Sequence, residues 1–465
     1  MVKKRFKNSW LTCYKARTYK VVDEEAVRKL VHEFEVHGQV YSVMRYITPE
    51  TLRMAVQSML IKLDDEFNYV INTRAAGTDG ITTKRFYNNK NKYISDILTR
   101  LRGKYILQPM LRISIPKHSG SKETRPLSIP SIEDSTLELA IVNQILTPIA
   151  EQIFVYESFG FRPNRSVKDA IDYIEYLVRW NNINYALVLD NKAYFDSINR
   201  NKLLDMVNVL IKDKRFTGLL RTIINTGYME LDDNGVLGEV KVDDKGISQG
   251  ANLSPVLANL YLHNVIDVWY KEINTTNEIY MVRYADDIVI LGSNQVDMII
   301  ALHSIRERFA QYGLEIANKK TKRINLNKED LTFLGYRLHK EDKELVRYIS
   351  DKKIIEIKFR INSVVESAMT DIYDSKVLEL IKSRQMYGNY LRDYIREIND
   401  LLVGIYRTYT QLGSSSAFDE LYGYAINEVK KQWAASLSKS ELEIMVSAII
   451  SPLDYNIKIL NRKRR

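Results

Sequence analysis

Apolar positions along the chain change their spacing twice. Up to about residue 75 the spacing is helical and the segment is basic, which predicts a helical N-terminal extension over 1–75. Thr48-Pro49-Glu50 reads as a helix start: Thr caps, Pro fits the first turn, and Glu favours the dipole. Apolar residues at helical spacing then run from Leu52 to Phe67. Between about 76 and 340 the pattern is mixed. Short β-branched or aromatic runs (Arg112–Ile115, Tyr185–Leu189, Ile279–Val282, Ile288–Leu291) alternate with longer amphipathic stretches. Met298, Leu302, Ile305 and Phe309 step by four, three and four, and Gly313 ends that helix. Helices mixed with short strands predict an α+β domain. From 341 to 465 the strand signal fades and long helical periods return, with breaks expected at Gly413-Ser414-Ser415-Ser416 and at Pro452.

Composition narrows the reading. The 465 residues are 45% hydrophobic, enough for a sizeable core and against wholesale disorder. Lys and Arg outnumber Asp and Glu by 68 to 58, a net charge of +10 that suits a polyanionic partner without proving one. Thirty tyrosines are compatible with stacking on bases and equally with polar-tipped core residues. Cys13 is the one cysteine, so an internal disulfide and a Cys-based zinc site are excluded. No apolar run approaches the length of a membrane span, and the basic N-terminus is not followed by an apolar signal core, so a cytoplasmic protein is expected. The tail Asn461-Arg462-Lys463-Arg464-Arg465 reads as a solvated basic end.

Candidate chemistry sits in Tyr284-Ala285-Asp286-Asp287 between two apolar runs. The pattern predicts a β-hairpin with adjacent carboxylates at its turn. Like charges so close repel, and Asp is a poor strand residue, so the arrangement is costly unless a hard cation takes up the charge. Asp-Asp alone is more often a charged surface turn; the flanking strands reverse that balance. A second apolar run, Tyr185–Leu189, ends in Asp190, and Asn191-Lys192-Ala193-Tyr194-Phe195-Asp196 follows. Asp190 alone reads equally as a helix cap; beside the hairpin it supplies a third set of oxygen ligands for two metal ions.

These residues resemble the reverse transcriptases, in particular the bacterial branch like the group II intron proteins. The resemblance runs from about Ala76 to Leu338 in a series of ordered blocks. Besides the acids they include Ala76–Thr82, the Arg112–Pro130 stretch, Ser158-Phe159-Gly160-Phe161-Arg162-Pro163, Gly246–Leu262, Gly313–Thr321 and Phe333-Leu334-Gly335-Tyr336. It implies a right-hand polymerase: fingers and palm of antiparallel sheet plus helices over 76–340, and a helical thumb or C-terminal module over 341–465. One departure stands out. The family's Pro-Gln-Gly-Gly-Pro-Leu-Ser-Pro reads here as Ser248-Gln249-Gly250-Ala251-Asn252-Leu253-Ser254-Pro255.

The resemblance also implies roles. Asp190, Asp286 and Asp287 would be catalytic and hold two Mg²⁺ ions, with Mn²⁺ as a substitute and the Asn191 backbone carbonyl as a further ligand. Lys117, Arg125, Phe195, Gln249, Gly250 and Lys320 would bind the nucleotide, Phe195 as the gate against a ribose 2′-hydroxyl. Arg162 and Tyr284 would touch template or primer. Partners would be dNTPs, an RNA template and a DNA or RNA primer. Three functions are weighed: cDNA synthesis on a dedicated non-coding RNA in anti-phage defence, a group II intron-encoded reverse transcriptase and maturase, and a non-catalytic RNA-binding scaffold. Homo-oligomerisation is left open.

Overall fold

In the computed structural model the described residues are 22–63, 69–117, 123–273, 278–373, 396–406, 415–433, 443, 446 and 447. The expected features at Pro452, at the basic tail, at Gly413-Ser414 and over residues 1–21 lie outside them. The chain divides into two compact units, residues 1–115 with 124–325, and residues 116–123 with 326–465.

At the centre of the first unit lies a four-stranded antiparallel sheet: β1 (Tyr185–Leu189), β2 (Ile279–Tyr284), β3 (Asp287–Gly292) and β4 (Lys322–Asn325), in spatial order β4-β1-β3-β2. Strands β1, β2 and β3 carry apolar runs because both faces are covered. Leu187, Met281, Val282, Ile288, Val289, Ile290 and Leu291 are all fully buried. The amphipathic helix Gln295–Gln311 buries Met298, Ile305 and Phe309 against β1 and β3, and the helix Val167–Trp180 packs on β2. A parallel pairing of Met110–Arg112 with Tyr228–Glu230 builds a second sheet, whose outer strand is Thr124–Ile129.

The first unit also holds two long helical segments, and each contains one wide π-turn. Ile132–Ile141 passes through Val142–Leu146 into Thr147–Ile153, and Ser254–Leu262 passes through His263–Asp267 into Val268–Ile273. Such turns re-aim side chains within a continuous helix. Thr48 caps the helix Pro49–Leu60 through the Thr51 N–H, as the sequence predicts. That helix ends earlier than its apolar spacing suggests. Ile61–Leu63 turns extended and pairs with Tyr69–Ile71, because a β-branched residue at the helix end gains a strand partner.

The second unit also departs from the expected pattern. Strand structure continues past 341. Leu331–Phe333, Tyr336–Glu341 and Glu344–Ile349 form an antiparallel meander before the helix Asp351–Tyr373 begins. Glu344–Ile349 is short, and its apolar residues Leu345, Val346, Tyr348 and Ile349 lack the clean alternation that marks a strand in sequence. Phe333 pairs with Tyr336 across Leu334 and Gly335, both at positive φ (+50° and +82°), a two-residue turn. Ser415 and Ser416, expected in a loop, instead open the helix Ser415–Trp433. That helix packs on Asp351–Tyr373, with Tyr424 donating to Asn362 Oδ1 at 2.9 Å.

Candidate active site

Sheet register brings the acids together. In the antiparallel β1–β3 pair the last partners are Leu189 and Ile288, so Asp190 and Asp287 lie one step beyond at adjacent strand ends. On the other side of β3, Tyr284 pairs with Asp287 across the two-residue turn Ala285-Asp286. Asn191 ties the two acid segments: its Nδ2 donates to the Asp286 carbonyl at 2.9 Å. The loop after Asp190 is pinned in turn by Ala317 N–H to Asp190 O at 2.8 Å and Lys192 N–H to Glu315 O at 2.9 Å. Lys320, on that same segment, brings Nζ to 3.4 Å from Asp190 Oδ2.

The turn itself is strained. Ala285 has φ +55°, a region that costs a residue with a Cβ on the order of 1 kcal/mol. Buried chemistry beneath the turn holds it there. Arg283 is fully buried on β2, with Nε and Nη2 on Asp267 at 2.8 and 2.6 Å. Its Nη1 donates to Asn259 Oδ1 at 2.9 Å and to Ala285 O at 3.0 Å. Asn259 in turn donates to Gly160 O at 2.7 Å. Gly160 has to be glycine, since a Cβ there would lie 2.3 Å from the Ala285 nitrogen. Burial alone would raise Asp267, but the Arg283 guanidinium outweighs it and holds the carboxyl below the usual range.

Charge at the turn is uncompensated by comparison. Burial, then the charge of Asp190, raises Asp286. Burial, then the charges of Asp286 and Asp190, pushes Asp287 up to about 7, with Lys320 pulling the other way. The Asp287 side chain nevertheless keeps an open face to solvent. Asn191 Oδ1, buried beside these acids, has no hydrogen-bond partner among the described residues. Hard anionic oxygens that repel one another, with a spare amide oxygen beside them, are the donor chemistry that Mg²⁺ takes. The convergence is incomplete: among the described residues no group of three or more His, Cys, Asp or Glu is arranged to hold an ion as it stands.

Other candidates fall into place unevenly. Gln249 donates from Nε2 to Asp196 Oδ1 at 3.3 Å, and its carbonyl accepts from Ser128 N–H at 2.7 Å. Gly250 has φ +109° and leaves no room for a side chain, as a Cβ would lie 2.5 Å from Ser128 O. Both therefore lie against the strand Thr124–Ile129, where Arg125 is exposed. Phe195 is half-buried and edge-on to Tyr194, and its carbonyl accepts from Ile247 N–H at 2.9 Å. Tyr284 is half-buried. Lys117 belongs to the second unit, where its Nζ is 2.9 Å from Glu123.

Arg162 is a correction. Expected at a nucleic-acid surface, it is buried, with Nε and Nη2 on Glu151 at 2.8 and 2.9 Å. Its Nη1 donates to the carbonyls of Val155 and Ser158 at 2.6 and 2.7 Å. A guanidinium so engaged organises the turn before Pro163 and is not free to grip a phosphate. The exposed member of that string is Phe161, at φ +54° and 52% exposed, beside Gly160. Arg283, Asp267 and Asn259 escaped the sequence reading. The signal was an arginine inside an otherwise apolar strand, which a buried partner has to explain.

A family model described as "Reverse transcriptase (RNA-dependent DNA polymerase)" matches residues 115–338, the span that holds all three acids. Residues 115–338 are a reverse transcriptase domain. Its helices and sheets form the α+β architecture that the sequence predicts. The domain's curated relatives include group II intron-encoded protein LtrA of Lactococcus lactis, 32% identical over 200 residues, 43% of this chain and 32% of that protein. A 91 kDa protein encoded in the cob intron of Schizosaccharomyces pombe is 40% identical over 157 residues, 34% of this chain and 18% of that one. Protein YkfC of Escherichia coli K12 is 28% identical over 276 residues, 51% of this chain and 68% of that one. The chain thus spans a third or less of the first two relatives. These matches place the reverse transcriptase domain in the group II intron-like branch. No helix among the described residues is long and apolar enough to cross a membrane.

Proposed function

We propose that the chain is an RNA-directed DNA polymerase that extends a primer with dNTPs at Asp190, Asp286 and Asp287. The observation that carries this is the register of the palm sheet, which sets Asp190 beside Asp287 and joins the two segments through Asn191. Asp190, Asp286 and Asp287, with the Asn191 oxygen, would hold Mg²⁺. Bound there, the metal supplies Lewis-acid activation of a primer hydroxyl and neutralises phosphate charge. The chain's own part is positional. Lys320 offers a cation at the edge of the acid cluster, where a triphosphate would arrive. Gly250 lets the backbone of its loop press against Ser128 and Leu127 of the strand Thr124–Ile129, and Gln249 beside it would line the nucleotide face. Phe195 is placed beside this loop through its carbonyl, consistent with a gate at the ribose. Arg125 and Tyr284 remain candidates for phosphate and primer contacts, and Phe161 joins them as an exposed ring for base stacking.

The template is a second question. A dedicated non-coding RNA copied in anti-phage defence is one reading. Intron RNA is favoured by the names of the relatives, several of which are intron-encoded. A scaffold without catalysis leaves the costly acid cluster unexplained. Purified protein given an RNA template, an annealed DNA primer, dNTPs and Mg²⁺ should extend the primer and stop on chelation by EDTA. Asp287→Ala should extend nothing while melting like wild type. Extension by that folded variant would remove the assignment. RNA recovered with the protein from cells decides between a dedicated small RNA and an intron.

A further inference from the structure

The loop from Gly246 to Leu253 carries Gln249 and Gly250 yet contains no helix or strand of its own. Its position depends on a few tethers. Ile247 N–H reaches Phe195 O at 2.9 Å, Gln249 O accepts from Ser128 N–H at 2.7 Å, and Ser254 Oγ donates to Ser248 O at 2.5 Å. The last tether comes from an unusual side chain. Glu138, on the helix Ile132–Ile141, is fully buried, where a carboxyl group is costly without a partner. Its Oε2 accepts the Asn252 N–H at 2.7 Å, and Asn252 Nδ2 donates to Ser135 O on the same helix at 3.0 Å. Glu138 Oε1 has no hydrogen-bond partner among the described residues. The charged neighbours are Asp134 on its own helix and Arg74 from the segment before the helix Thr83–Asn88. Proline occupies the place of Asn252 in the string that residues 248–255 resemble, and proline has no N–H to give. Here the donor and its buried acceptor occur together.

We propose that Glu138 is a positioning residue for the nucleotide-lining loop, its buried carboxyl group holding the Asn252 N–H and so setting where Gln249 and Gly250 meet an incoming nucleotide. The inference rests on the polymerase reading of the site. Burial pushes Glu138 up to about 8, against the pull of the Asn252 N–H and, more weakly, of the Leu253 N–H, so near neutrality the neutral acid prevails. Glutamine imitates that neutral acid, because it keeps one acceptor oxygen and the same shape. Leucine keeps the volume and removes the acceptor.

The test compares Glu138→Gln, Glu138→Leu, Asn252→Ala, Asn252→Pro and the double variant Glu138→Leu/Asn252→Pro in steady-state dNTP incorporation. Glu138→Leu and Asn252→Pro should each raise KM for dNTP about tenfold, the worth of one buried hydrogen bond, with kcat changed much less. The double variant should be no worse than the poorer single one. Glu138→Gln, which keeps acceptor and N–H, should stay near wild type, and Asn252→Ala, which keeps the N–H but loses the Ser135 contact, should be milder than Asn252→Pro. Hydrogen exchange of the Asn252 amide supplies a readout independent of activity. It should be slow in wild type and Glu138→Gln, and at least about tenfold faster in Glu138→Leu. Unchanged exchange in Glu138→Leu, multiplicative effects in the double variant, or loss of function in Glu138→Gln equal to that in Glu138→Leu would overturn the proposal. If Glu138→Leu does not fold, Asn252→Pro carries the same comparison. If wild type incorporates no nucleotide, the polymerase reading falls, and the exchange measurement alone decides whether Glu138 holds the loop.

Discussion

Two charged regions meet at one hairpin. At its turn, Asp286 and Asp287 face Asp190, and the nearby counter-charges among the described residues are Lys320 and the already paired Arg283. Beneath the turn, Arg283 of strand β2 and Asp267 of the π-turn His263–Asp267 are completely buried and satisfy each other at two hydrogen bonds, with Asn259 and the Ala285 carbonyl completing the set. The inner group is matched charge for charge and pins geometry. The outer group is left with excess negative charge and is thereby primed for a cation. Removing a member should therefore have opposite consequences: function without much stability outside, stability first inside.

The largest effect tests the outer group. Asp287→Asn should reduce primer extension to background while thermal stability above pH 7 is unchanged or higher, since a repelled carboxylate is replaced by a neutral amide. A circular-dichroism melt beside the extension assay checks both signs, and a lower melting temperature would break the contrast. Next comes the inner group. Asp267→Ala leaves the Arg283 charge buried and unpaired and should cost about 3–5 kcal/mol in urea unfolding. A loss under about 1 kcal/mol would mean that water reaches Arg283.

Glu138 lies between these extremes, buried like Asp267 but, among the described residues, with Arg74 as a charged neighbour in place of a hydrogen-bonded cation. Its ordinary value of 4.5 rises to about 8 in the fold. Below 4.5 both folded and unfolded chains carry the proton, and the full benefit of the neutral group is present. As pH rises the unfolded chain ionises first, so wild type should lose stability against Glu138→Gln by about 1.4 kcal/mol per pH unit, levelling near the folded value. Urea midpoints of the two proteins at pH 5 and pH 8 measure this, and parallel curves would contradict it. The smallest expected effect is at the turn. Ala285→Gly relieves the positive φ and should stabilise the chain by about 0.5–1 kcal/mol. If extension also falls, the strained alanine contributes to the placement of the acids.

Much of the site was legible because its signals are local. Apolar runs on either side of Asp286-Asp287 announce a hairpin, and a strand ending in Asp190 announces a second acid at a strand end. Less was legible where meaning depends on a distant partner. Arg162 looks like a phosphate ligand until Glu151 is seen beside it, eleven residues back along the chain. Arg283 looks like a break in a strand until the π-turn His263–Asp267 delivers its carboxylate. Strand Glu344–Ile349 was read as helical territory because its pairing with Tyr336–Glu341, more than its own alternation, holds it extended.

What the sequence by itself determined is the set of donors and the elements that bear them: which residues are acids, where strands end in them, and the domain type that carries them. Those follow from side-chain chemistry and short-range periodicity, which the chain carries wherever it folds. Tertiary structure alone decided which charges are spent and which are left over. Burial and partner distance set that division, and both arise only when residues as far apart as Glu138 and Asn252 are packed within one hydrogen bond of each other.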